Sequence, residues 1–178
     1  KKNIVFSIIG FAGMLFVSKI NYKVYKKYAL PLMGVNILLL LMTRFSPLGI
    51  ELNYAKRWLD IGFSTLMTSE VTKFACIIMT ATIISNRKNL INNPSTIIQP
   101  FIYVGLSVLL IIIQPDLSTS VTILFVTFGM LFIAGMHYIY VLGIAGMGIF
   151  GIILLILFEP YRLKRFTTFL DPFKDPLG

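Results

Sequence analysis

Apolar residues in this 178-residue chain do not alternate with polar ones; they gather into long runs separated by short polar segments. The runs extend from about Ile4 to Ser18, Tyr28 to Arg44, Leu66 to Ser85, Ile97 to Ile113, Ser120 to Ala134 and Tyr138 to Phe158. A bilayer hydrocarbon core of about 30 Å takes about 20 helical residues. Each run is read as a crossing, the first as one clipped by the boundary of the sequence. No small-residue cleavage site follows that first run, so it does not read as a signal peptide. Strands cannot satisfy their backbone in lipid unless they close into a barrel, and the period-2 pattern of a barrel is absent, so the spans must be helices. The expected fold class is all-α, a polytopic transmembrane helix bundle of about six spans.

Composition supports the same reading. Hydrophobic residues make up 57% of the chain, charged residues 13%, and mean hydropathy is +0.86, which is outside the range of soluble or disordered domains. A single Cys76 and a single His137 exclude a disulfide framework and a Cys/His zinc site. Cys76 reads as a small buried apolar residue and His137 as a polar turn residue. The net charge of +9 would suggest nucleic acid in a soluble protein. Here the basic residues flank apolar runs, where anionic lipid headgroups and topology explain them, so no nucleic-acid partner is expected. The chain opens at Lys1 and stops at Gly178 just after a polar run, and is read as a single transmembrane domain fragment, residues 1–178, truncated at both ends.

Six spans sort the connections into two sets. The first, Lys19 to Lys27, Asn86 to Pro94 and Gly135 to His137, holds Lys19, Lys23, Lys26, Lys27, Arg87 and Lys88 and no acid. The second holds Glu51, Asp60, Glu70, Asp116, Glu159, Asp171 and Asp175. Among complete loops the basic count is six against three, which makes the first set cytoplasmic; adding the end segments reverses it to six against nine. On this assignment the acid-bearing strings meet at the outer face.

Three strings hold most of the chemistry-bearing residues. They are K-R-W-L-D-I-G at Lys56 to Gly62 with S-E-V-T-K at Ser69 to Lys73, Q-P-D-L-S-T at Gln114 to Thr119, and the run from Pro160 to Gly178 that contains Y-R-L-K-R and two Asp-Pro pairs. Each residue has a bland reading beside a functional one. Trp58 suits an interfacial anchor as well as a substrate contact. Asp60 is read as a helix N-cap, and Asp116, after Pro115 and before a helix, as a turn former or, preferably, an N-cap. Glu70 and Lys73, spaced i,i+3, are expected to form a partly buried pair, as much a lock between helices as a substrate site. The Ser69 to Lys73 spacing is not the S-x-x-K of penicillin-recognising enzymes, and no phosphate loop is present.

The three strings, in this order and at these spacings, resemble the motifs of the SEDS family of shape, elongation, division and sporulation proteins, which includes FtsW, RodA and SpoVE. The Tyr-Arg and double Asp-Pro form of the third string is nearer the FtsW and SpoVE branch. Departures stand at Met67-Thr68, where the family has Gln-Pro, at Ser118, where it has Gly, and at Tyr54-Ala55-Lys56. Thr68 is itself a capable N-cap, which would keep the helix start.

The resemblance implies a ten-span protein of the bacterial cytoplasmic (inner) membrane. It implies a peptidoglycan glycosyltransferase, inverting, that polymerises lipid II at the outer face during division or shape maintenance, with a class B penicillin-binding transpeptidase as partner. The rivals are a lipid II flippase and a non-enzymatic scaffold for that transpeptidase. A polyprenyl-pyrophosphate donor demands cations at the membrane surface, and Arg57, Arg162 and Arg165 suit bidentate phosphate contacts. With them Trp58, Asp60, Glu70, Lys73 and Asp116 make up the expected substrate-binding set. The family's carboxylate base lies beyond the third string, so no catalytic residue is expected within these 178. No cofactor is evident; a divalent cation is compatible with pyrophosphate chemistry. Membrane lipids are further partners.

Overall fold

The structure is a computed structural model that describes residues 2–52, 55–62, 65–87 and 91–157. Among the described residues six helices run in chain order: α1 (Lys2–Ser18), α2 (Tyr22–Phe45), α3 (Thr68–Asn86), α4 (Pro94–Ile113), α5 (Leu117–Ile133) and α6 (Tyr138–Leu157). Between α2 and α3 the chain forms three short strands, β1 (Gly49–Leu52), β2 (Ala55–Asp60) and β3 (Thr65–Met67). The fold class expected from the hydrophobic runs holds, and the sheet is an addition to it, placed in what the sequence marks only as a loop. The chain divides into two compact units, Lys1–Gly135 and Met136–Gly178.

Helix starts follow local capping chemistry more closely than hydropathy. α2 begins six residues before the expected Tyr28 because the Asn21 side chain accepts a hydrogen bond from Lys23 N at 3.0 Å, satisfying a donor that the first turn leaves free. Lys23, Lys26 and Lys27 therefore ride on a helix, where long cationic side chains reach headgroup level while their stems stay on apolar surface. α4 starts in the same way: the Asn93 side chain accepts from Ser95 N at 3.1 Å and Pro94 occupies the first helical position. Thr68 does not cap α3. It is already inside the helix, Met67 holds the cap position without a side-chain bond, and the Thr68 hydroxyl turns instead to Thr43 of α2, 3.2 Å away.

Within Lys1–Gly135 the buried positions of α2 are Ala29, Met33, Asn36, Leu40 and Thr43, a 4-3-4-3 spacing that keeps one stripe on one face. Met33 and Leu40 pack with Ala75 and Cys76 of α3, Val104, Val108 and Ile111 of α4 and Ile123 of α5. The faces turned away from this core are the oilier ones: on α4, Ile98, Ile102, Leu106, Leu109 and Ile113 are exposed while Thr96 and Ser107 are buried. That inversion suits lipid, in which polar groups gain by pairing inside the bundle and apolar side chains lose nothing by facing out. Among the described residues, α2 and α4 are long and apolar enough to cross a bilayer; Leu117–Ile133 and Tyr138–Gly151 are apolar but shorter.

The three strands form an antiparallel meander in the order β1-β2-β3, with Ile50 opposite Trp58, Trp58 opposite Met67, and a register irregularity between Ile50 and Glu51. The meander starts hard against the end of α2. A Cβ on Gly49 would lie 2.1 Å from the Thr43 carbonyl oxygen, so only glycine lets the strand leave the helix there. In Met136–Gly178, α6 opens on His137, whose carbonyl accepts from Tyr140 N and Val141 N at 3.0 and 3.2 Å and whose ring lies against Tyr138.

Candidate functional site

The first two strings of the sequence meet at the end of the bundle that carries the sheet. Arg57, on the central strand β2, donates through Nε to the Gln114 carbonyl at 3.3 Å and through Nη2 to the Pro115 carbonyl. Gln114 is the C-cap of α4, where free carbonyls concentrate negative potential, and a planar guanidinium can serve two of them at once. Arg57 is thus a clamp that ties the sheet to the α4–α5 turn.

The turn it holds is built around Asp116. The Asp116 carboxylate accepts from Thr119 N at 3.2 Å and from Thr119 Oγ1 at 2.9 Å, capping α5, and it also accepts from Ser69 Oγ of α3 at 3.4 Å. At 5% exposure it is nearly closed off from solvent, and its two oxygens are met by three donors at a helix N-terminus. The preferred capping reading of this residue is the one the geometry has. Gln114, 1% exposed, donates through Nε2 to the Leu40 carbonyl of α2 at 3.0 Å. Its Oε1 is buried and has no hydrogen-bond partner among the described residues.

Deeper in the bundle the same polar chemistry continues. Asn36 of α2 donates through Nδ2 to Ser107 of α4 at 3.2 Å, and its Oδ1 accepts from the Thr72 hydroxyl of α3 at 2.7 Å. The amide has both a donor and an acceptor, so one residue joins three helices. Sequence reasoning passed over Asn36, Thr72 and Ser107. Isolated polar residues within apolar runs are the signal that marks them, because such groups are costly in lipid unless they find partners inside the bundle.

The other expected site residues stand apart from this junction. Trp58 is half-buried in the middle of β2, between Ile50 and Met67. Asp60 closes β2, and its carboxylate accepts from Gly62 N at 2.8 Å. This is an Asx turn, with Gly62 at a φ of 87°, and not the helix cap expected from the sequence. Glu70 and Lys73 do pair, at 2.7 Å, but on an outward face of α3 where Glu70 is 53% and Lys73 34% exposed. The pair joins two turns of one helix, half-buried at Lys73 and exposed at Glu70, and among the described residues it makes no ion pair to another helix. Arg162 and Arg165 lie outside the described residues, as does the whole third string. The structure therefore brings Arg57 and Asp116 into one assembly and leaves Trp58, Asp60 and the Glu70–Lys73 pair around it.

Comparison with known proteins places the chain. The family model FTSW_RODA_SPOVE, described as "Cell cycle protein", matches residues 1–178. The chain is 32% identical over its full length to the "Probable peptidoglycan glycosyltransferase FtsW" of Trichlorobacter lovleyi, of which it covers 47%. It is 30% identical, again over its full length, to "Stage V sporulation protein E" of Bacillus subtilis, of which it covers 49%. The chain thus spans about half the length of the curated relatives it matches. Among solved structures, it superposes on a chain of a peptidoglycan synthase complex, described as coordinating polymerization and crosslinking, with a TM-score of 0.75 at 26% identity, covering 97% of this chain and 52% of that one. The rod shape determining protein RodA of Thermus thermophilus shares the fold at a TM-score of 0.57 and 20% identity, over 75% of this chain and 44% of that one. By the match along its whole length, and by the motifs that its folded strings carry, the chain belongs to the FtsW/RodA/SpoVE family.

Proposed function

We propose that the protein to which this chain belongs is a peptidoglycan glycosyltransferase that polymerises lipid II at the outer face of the bacterial inner membrane, in division or shape maintenance. The observation that carries the reading is the similarity, along the whole of this chain and 47% of the relative, to a protein named for that activity. The geometry fits it. Two of the family strings fold onto one another at one end of the bundle, where a lipid-linked sugar pyrophosphate would present its head.

Arg57 and Asp116 support this site by position. Arg57 spends two donors on backbone carbonyls, and Asp116 spends its oxygens on a helix cap and on Ser69. We assign them the holding of the sheet and turn, and leave direct substrate contact to Trp58, Asp60, Lys73 and the arginines at 162 and 165. Glycosyl transfer from a polyprenyl pyrophosphate needs a carboxylate to take the acceptor hydroxyl proton and cations to stabilise the departing pyrophosphate. The base is expected in the part of the protein beyond residue 178. Pyrophosphate oxygens bind a divalent cation with few protein ligands, so such an ion would arrive with the substrate. A penicillin-binding transpeptidase is the partner in this reading, in line with the synthase complex that the fold resembles.

Purified full-length protein, reconstituted with its transpeptidase, should convert lipid II into glycan polymer. Movement of labelled lipid II across vesicles without polymer would assign a flippase instead. Neither product, with transpeptidase activity raised by the protein, would assign a scaffold.

A further inference from the structure

Toward the end of the Lys1–Gly135 unit opposite the sheet lies a different feature, a lateral groove of about 510 Å³ between the C-terminal end of α1, the first turns of α2 and α3 from Phe74 to Ser85. Val17, Tyr25, Phe74 and Ala81 are among its lining residues, and Lys26 and Ser85 stand at one end. Its one charged lining residue is at that end: Lys26 Nζ donates to Ser85 Oγ at 3.1 Å, and both residues are on the surface. An ammonium has three donors, so this bond leaves two for a ligand. Among the described residues Lys26 has no carboxylate partner.

The surroundings set the charge of what would bind. Lys19, Lys23, Lys26, Lys27 and Arg87 cluster at this end, whereas the described acids, Glu51, Asp60, Glu70 and Asp116, all belong to the sheet end. The groove's length sets its shape. From Phe74 to Ser85 α3 rises about 16 Å at roughly 1.5 Å per residue, which is close to half of an approximately 30 Å hydrocarbon core. A groove one leaflet deep, apolar along its length and cationic at its mouth, matches one kind of molecule.

We propose that the groove is a binding site for an anionic membrane phospholipid of the leaflet at the basic end, with one acyl chain along Phe74 to Ala81 and the phosphate on Lys26. The charge complementarity favours this occupant over another helix, which would leave Lys26 unanswered unless it carried an acid to the same level. The site lies at the far end of the bundle from the proposed polymerisation chemistry and does not rest on it.

The test uses the full-length protein in mild detergent, titrated with phosphatidylglycerol or with phosphatidylcholine of the same acyl chains, and read by native mass spectrometry. Wild type should retain one phosphatidylglycerol about tenfold more tightly than phosphatidylcholine. Lys26→Gln should bring the two lipids to about equal retention. Ala81→Trp, at an exposed helix position where folding does not depend on the small side chain, should carry one lipid fewer of either kind. Equal retention of the two lipids by wild type would overturn the proposal, and so would an unchanged lipid count in Ala81→Trp. A disulfide between Ala81→Cys and a cysteine placed in a helix outside these 178 residues would also overturn it, by putting protein in the groove.

Discussion

At the residue scale, Asp116 is where sequence chemistry and geometry agree most closely. A carboxylate before a helix, after Pro115, is a capping signal, and in the fold it takes three hydrogen bonds from two helices. Asp116→Ala should destabilise the protein by about 2 kcal/mol, at the upper end for a lost N-cap because Ser69 loses its partner too. Asp116→Asn should cost less than half of that, since an amide oxygen still accepts from Thr119. Chemical denaturation of the full-length protein in micelles measures both, and equal losses would show that charge and not capping dominates. Glu70 and Lys73 give the opposite lesson. Their spacing forecast the pair but could not tell which way that face of α3 would turn, and it turns outward. The coupling energy from a double-mutant cycle of Glu70→Gln and Lys73→Met should therefore be no more than about 0.5 kcal/mol, as for exposed i,i+3 pairs. A coupling of several kcal/mol would mean that a neighbour buries the pair.

At the scale of elements, the sheet is the part that the hydrophobic pattern does not announce. Its strands are three to six residues long and pass through Glu51, Lys56, Arg57 and Asp60, so no apolar alternation builds up along them. What holds the meander is contact with helices at its first and its central strand: the Gly49 approach to Thr43, and the Arg57 clamp on the α4–α5 turn. Gly49→Ala forces a methyl group onto a backbone oxygen that is itself fixed in a helix. The expected loss is about 3 kcal/mol, the upper range for overpacking. Thermal unfolding should register it, and hydrogen exchange should rise in β1 and β2 before the helices are touched. A variant as stable as wild type would show that β1 can leave α2 by another path.

Over the Lys1–Gly135 unit, the acids sort to one end: the end with Lys19, Lys23, Lys26, Lys27 and Arg87 has no described acid, whereas Glu51, Asp60, Glu70 and Asp116 share the sheet end with Arg44, Lys56, Arg57 and Lys73. Counted over the complete loops, the positive-inside rule predicts the sheet end outside the cell. In full-length protein with Cys76→Ala, a membrane-impermeant thiol reagent applied to intact cells should label Asp60→Cys and not Arg87→Cys. The reverse pattern would invert the protein and remove the outer-face reading of the site. Cys76 is buried at 1% exposure, so the background should be low even before it is replaced.

The sequence by itself determined that the apolar runs are helices, because each run that must satisfy its own backbone in lipid has one solution, while residues such as Asn21 and Asn93 set where the helices begin. It also determined the family, since three ordered strings survive departures such as Thr68 and Ser118, and the capping of α5, which depends on residues three apart. Tertiary structure alone decided what joins these pieces. That Arg57 would spend its fork on the carbonyls of Gln114 and Pro115, more than fifty residues away, follows from where α4 ends relative to β2, and no local pattern encodes it. That Asn36 would bind Thr72 and Ser107 depends on the rotation of three helices about their axes. Local spacing fixes which residues share a face; only packing fixes what that face meets.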